Sequence, residues 1–157
     1  MFEEHSQPIN ATDVKACIIV SSYHSEITNI LAKGARACFI EAGGSKDDCH
    51  FLPAPGAWEL PLIAQDAARN SDIDIVVVLG CILTGETTHD KVIANAIAKG
   101  LMKVSLNESK PITMGVLTCQ TIEQAKARSG GKKGNKGEEA MYAALASLET
   151  LHSMRNS

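Results

Sequence analysis

Apolar residues recur along the chain with two different periods. Residues 15–21 (KACIIVS) form a β-branched apolar run without polar alternation, which predicts a strand. Residues 25–42 then place Ile27, Ile30, Leu31, Gly34, Ala35 and Cys38 on one helical face and stop at Gly43-Gly44. Residues 50–54 predict a short strand whose Pro53 suits only a sheet edge, and residues 59–70 a helix in which Pro61 is tolerable only in the first turn. Residues 75–83 (IVVVLGCIL) are apolar throughout, as expected of a parallel strand covered on both faces. Residues 88–106 predict a helix and residues 112–118 a fourth strand. Thr121-Ile122-Glu123-Gln124 has the spacing of a capping box and opens a short helix to about Arg128. Asn135, with Glu138 three residues on, opens a last helix with Met141, Ala144, Leu145, Leu148 and Leu151 at helical spacing.

Strands alternating with helices imply an α/β fold: a parallel sheet between helical layers, joined by right-handed crossovers. With 157 residues and no repeat or compositional break, one domain is expected over residues 14–157, preceded by a polar tail over residues 1–13 that could stay disordered or pair with a neighbour's sheet edge. The helix around residues 92–104 (VIANAIAKGLMKV) is apolar or small around most of its circumference. A helix covering one sheet face needs a single apolar stripe, so the surplus face predicts contact with a second subunit.

Composition narrows the function. A net charge of -3 leaves no basic excess to neutralise nucleic-acid phosphates or a membrane surface, although an anionic small molecule needs only a local cluster. The apolar run at residues 75–83 is far shorter than the roughly 20 residues that span a bilayer, and residues 1–13 lack the features of a signal peptide, so a cytoplasmic protein is expected. Five scattered cysteines without CxxC or zinc-finger spacing read as reduced core residues, with neither metal nor redox cofactor implied. Aromatics make up only 4%, so Ala and aliphatic residues must build the core, and the few rings become informative.

Ligands of open parallel α/β sheets bind outside the carboxyl ends of the strands. There the sequence changes character: Tyr23 and His24 follow the first strand, Ala57, Trp58 and Glu59 the second, and residues 84–89 (TGETTH) the third. A glycine with two threonines at a strand-to-helix turn leaves backbone N–H groups and hydroxyls for an anion, which the helix dipole also attracts. His89 in the first turn can exchange protons near neutrality. The alternative for this segment is that Thr88 caps the helix and His89 is a surface residue. Residues 128–137 (RSGGKKGNKG) interleave four cations with four glycines, which is neither a Walker loop nor a dinucleotide fingerprint and by itself reads as a flexible solvated turn.

Pro55-Gly56-Ala57-Trp58-Glu59-Leu60-Pro61, Gly85-Glu86-Thr87-Thr88-His89, Gly115-Val116-Leu117-Thr118 and Gly134-Asn135-Lys136-Gly137 stand in the order and spacing of the 6,7-dimethyl-8-ribityllumazine synthase family of riboflavin biosynthesis, which the chain resembles from about Val14 to Leu151. The resemblance implies a flavodoxin-like three-layer sandwich around a four-stranded parallel sheet. It implies a transferase that condenses 5-amino-6-(D-ribitylamino)uracil with 3,4-dihydroxy-2-butanone 4-phosphate, releasing phosphate and water, with no cofactor and no metal. It further implies a homo-oligomer, a pentamer or an icosahedral sixty-subunit shell, with sites between subunits and riboflavin synthase as a candidate partner. Carried over residue by residue, Tyr23 stacks on the pyrimidine, and His24, Ala57, Trp58 and Glu59 line the ribityl segment. Cys81, Ile82 and Leu83 form the heterocycle floor, and Met114 comes from the adjacent subunit. Gly85, Glu86, Thr87 and Arg128 hold the phosphate, His89 transfers protons, and Lys136 lies near the reacting ends. Three positions depart from the family pattern: Thr84 replaces a common Arg, Met114 an aromatic, and His24 an Asn. They keep open an alternative, a non-catalytic relative that binds a lumazine or flavin or forms a shell.

Overall fold

The structure, a computed structural model, describes residues 7–157; residues 1–6, part of the expected polar tail, lie outside the described residues. The chain runs β1 (Ala16–Ser21), α1 (Ser25–Glu41), β2 (Cys49–Ala54), α2 (Leu60–Arg69), β3 (Ile75–Leu83), α3 (His89–Glu108), β4 (Ile112–Cys119), α4 (Ile122–Arg128), β5 (Ser129–Gly131), β6 (Gly134–Asn135) and α5 (Lys136–Arg155). Single 3-10 turns at Lys46–Asp48 and Ala57–Glu59 escape the hydrophobic pattern because three residues are too few to show a period.

The four long strands form one parallel sheet in the order β2-β1-β3-β4. Pro53 lies on β2, the edge strand, where its missing N–H removes no ladder bond between inner strands. The continuous apolar run of β3 is explained by two-sided burial: Ile75, Val77, Leu79 and Cys81 enter the core with α1 and α5, while Val76, Val78 and Ile82 enter the core with α2 and α3. This is a three-layer α/β sandwich. Because the chain leaves β1 for β2 on one side and β3 for β4 on the other, the loops after β1 and β3 diverge and open a crevice between them.

Two segments read as polar loops are structured. Ala11 is fully buried and its N–H donates to the Ala42 carbonyl at 2.9 Å, so this part of the tail closes over the end of α1. The glycine-rich basic segment is a short antiparallel hairpin, β5 with β6, rather than a solvated turn. Asn135 ties it down: its Oδ1 accepts from the N–H groups of Gly137 (2.8 Å) and Glu138 (3.2 Å), capping α5, and its Nδ2 donates to the Ile30 carbonyl of α1 at 3.1 Å. Gly137 completes the contact, since a Cβ there would collide with the backbone of Leu31.

The surplus apolar face of α3 stays uncovered within one chain: Val92, Met102 and Leu106 are exposed, as is Leu62 on α2, beside the buried Ile97, Leu101 and Val104. Among the described residues no helix is long and apolar enough to cross a membrane.

Candidate active site

The turn after β1 is held from both sides. The Ser22 N–H donates to the Ala54 carbonyl of β2 at 2.8 Å, and the buried Thr28 hydroxyl donates to the Ser21 carbonyl at 2.7 Å. The chain reverses into α1 through His24, the N-cap residue, whose φ of 60° and ψ of 49° are left-handed. Among residues with a Cβ, Asn, Asp and His tolerate this conformation best. The His24 ring packs edge-on against Tyr23, with centroids 4.5 Å apart, and its Nδ1 lies 3.9 Å from a Glu26 carboxylate oxygen. His24→Val is expected to lower stability by about 1–2 kcal/mol, because a β-branched side chain is strained there, while His24→Asn stays near the parent. Thermal unfolding at fixed protein concentration checks this; equal melting temperatures for both variants would contradict the assignment.

In the turn after β2, Glu59 Oε2 accepts from the Gly56 N–H at 3.0 Å, which shapes the loop and leaves the other carboxylate oxygen for a ligand. Trp58 and Tyr23 are 60% and 67% exposed, too open for core residues and suited to stacking on a flat guest.

Among the described residues, the loop after β3 leaves several backbone donors unpaired. Thr88 is the N-cap residue of α3 without a side-chain cap bond, Thr87 Oγ1 accepts from the His89 N–H at 3.3 Å, and His89 is exposed, as the surface alternative expects. The backbone N–H groups of Gly85, Glu86 and Thr87 donate to no protein acceptor, and a Cβ on Gly85 would meet nothing within 4 Å. These N–H groups precede the N-cap Thr88 of a 20-residue helix, whose positive end favours an anion.

These loops enclose one cleft of about 570 Å³. Tyr23, His24, Ala57, Trp58, Glu59, Cys81, Ile82 and Leu83 line it together with Gly85, Thr87 and His89, so eleven residues assigned from sequence meet in a single cavity. Burial pushes the Cys81 thiol up to about 11, with further contributions from the Cys119 and Glu26 charges. At neutral pH it is a protonated, apolar part of the floor and not a nucleophile. Gly56, Asp90 and Ile93 line the cleft as well, and sequence reasoning missed them; for Asp90 the available signal was an acid directly after His89 in the first turn of α3.

The remaining candidates lie elsewhere within the chain. Arg128 and Lys136 line a second cleft of about 330 Å³, with Lys133 and Glu139, beside the carboxyl end of β4. Arg128 donates to the Gln124 carbonyl at 3.1 Å, and Lys136 lies 3.7 Å from the Glu139 carboxylate. Burial raises the Cys119 thiol in this cleft while the Arg128 charge draws it back down. Thr84 lines the first cleft and Cys119 the second, and the Thr84 N–H donates to the Cys119 carbonyl at 2.9 Å. Met114 is exposed on the edge strand β4, and Glu86 is exposed on the loop; neither lines the first cleft. One chain thus brings Tyr23, Trp58, the loop after β3 and the His89 imidazole to one cleft, and Arg128 and Lys136 to another.

The sequence model of 6,7-dimethyl-8-ribityllumazine synthase matches residues 13–152. The 6,7-dimethyl-8-ribityllumazine synthase of Aquifex aeolicus is 38% identical over 147 residues, covering 94% of this chain and 96% of its own. The protein of that name from Thermus thermophilus is 38% identical over 146 residues, 93% of each.

Proposed function

The chain belongs to the 6,7-dimethyl-8-ribityllumazine synthase family, and from that premise we propose how its residues divide the work of the reaction. The protein is a transferase of riboflavin biosynthesis that condenses 5-amino-6-(D-ribitylamino)uracil with 3,4-dihydroxy-2-butanone 4-phosphate, releasing phosphate and water. The observation that carries the assignment of roles is the first cleft, which joins an open aromatic slot to a loop of free N–H groups.

The pyrimidine brings its own amine for Schiff-base formation, so the protein needs no nucleophile, in keeping with a protonated Cys81. Tyr23 stacks on the pyrimidine over the Cys81, Ile82 and Leu83 floor, while Trp58 lies along the ribityl chain and Glu59 accepts hydrogen bonds from its hydroxyls. Gly85 and Thr87 donate to the phosphate from the cleft lining, and the Glu86 N–H from the exposed part of the same loop. His89, beside them, relays protons between the condensing groups. Holding both substrates side by side converts a bimolecular step into an effectively unimolecular one.

The cations that a departing phosphate requires belong, in this reading, to a second copy. The uncovered faces of α2 and α3 supply an apolar surface for it, and the second cleft then delivers Arg128 and Lys136, with Met114 as a partial wall. We place the enzyme in the cytoplasm as a homo-oligomer, a pentamer or a sixty-subunit shell built from it. Mixing the protein with both substrates should release inorganic phosphate and form fluorescent lumazine faster than buffer alone; a rate equal to the uncatalysed one would refute the assignment.

A further inference from the structure

The first cleft recognises a phosphorylated substrate and yet has no Lys or Arg in its lining; its acids are Glu59 and Asp90. Asp90 is half-buried in the first turn of α3, and its Oδ2 accepts from the Thr84 hydroxyl at 3.2 Å. That hydroxyl has a second acceptor in the Cys119 carbonyl, at 3.4 Å. Its single proton therefore serves acceptors of the protein's own. The Thr84 to Asp90 bond fixes the carboxylate at the helix end whose unpaired Gly85, Glu86 and Thr87 N–H groups receive the anion.

A helix N-terminus offers roughly half a positive charge, concentrated in its first turn. An acid within that turn already uses part of that field, and an incoming phosphate dianion must also approach a fixed negative charge. We infer that Asp90, positioned by Thr84, is a specificity-determining residue that keeps the phosphate subsite weak, so that the inorganic phosphate formed in each turnover is not retained. The inference rests on the reaction proposed above. With a cation brought from the second cleft of another copy, Asp90 limits how tightly that cation and the loop together hold phosphate.

Asp90→Asn removes the charge and keeps an oxygen for the Thr84 hydroxyl. Titration of the full-length protein with inorganic phosphate, followed by phosphorus NMR, is expected to give a Kd about three- to tenfold lower for Asp90→Asn than for the parent. The KM of the butanone phosphate should fall in parallel, while the KM of the pyrimidine stays within about twofold. Asp90→Glu, which keeps the charge, should bind phosphate within about twofold of the parent. Unchanged or weaker phosphate binding by Asp90→Asn overturns the inference. So does a tightening by Asp90→Glu as large as that by Asp90→Asn, which would mark a packing effect. A parent that forms no lumazine would instead overturn the proposed reaction, and the phosphate titration would still decide the effect of Asp90.

Discussion

Replacing His89 with alanine is expected to lower kcat by about two to four orders of magnitude, the range that a positioned general acid–base contributes, with the KM of the phosphorylated substrate held within about threefold. The imidazole is exposed at the first position of α3, makes no side-chain hydrogen bond among the described residues, and lines the cleft next to Gly85 and Thr87. Its loss removes a proton relay and no packing. In the reading proposed above the phosphate is held by backbone N–H groups, which the substitution leaves in place. Arg128→Ala should show the opposite signature: a raised KM for the phosphorylated substrate and a smaller fall in kcat, because a cation that holds the phosphate in both ground state and transition state contributes uniform binding. Steady-state kinetics with each substrate varied in turn separates the two. A His89→Ala enzyme whose defect lies in KM, or an Arg128→Ala enzyme whose defect lies in kcat alone, would reverse the roles assigned here.

Most of the fold and half of the site geometry follow from local patterns. The uniform apolar character of residues 75–83 could only suit a strand buried on both faces, and Pro53 could only suit an edge; β3 and β2 occupy those places. The slot residues were legible because each follows a strand directly, and the carboxyl end of a parallel sheet gathers such residues whatever their separation in sequence. What escaped was set by contacts distant in sequence. The basic glycine-rich segment reads as a solvated turn until Asn135 reaches the Ile30 carbonyl across 105 residues and folds the segment against α1. The buried Ala11 shows nothing in a polar segment until its N–H meets Ala42. Asp90 was missed because an acid in the first turn of a helix is ordinarily read as support for the dipole; its bond to Thr84 and its place in the cleft give it another meaning. Arg128 and Lys136 follow no long strand, and one chain sets them in a cleft of their own.

That separation leads to the experiment with the widest range of outcomes. If each working site takes the slot, loop and His89 from one copy and the cations from the next, His89→Ala and Arg128→Ala damage different halves of it. Dissociated and reassembled together in equal amounts, the two impaired variants, assayed with the butanone phosphate far below the KM of Arg128→Ala, should regain about one quarter of the parental kcat/KM per subunit, since a site is intact only where an Arg128→Ala chain supplies the imidazole and a His89→Ala chain supplies the guanidinium. This is a gain of about tenfold or more over the His89→Ala protein, and the deciding comparison is with the mean of the two variants assayed separately. A site made within one chain predicts no gain, because every chain in the mixture then lacks one of the two groups. Within a single subunit His89 and Arg128 line different clefts, and Arg128 is occupied there by the Gln124 carbonyl. The uncovered apolar faces of α2 and α3 give a second copy a surface on which to dock. Leu106→Lys on α3, placing a charge in that face, should then abolish the regained activity together with the oligomer, which size-exclusion chromatography with light scattering reads directly.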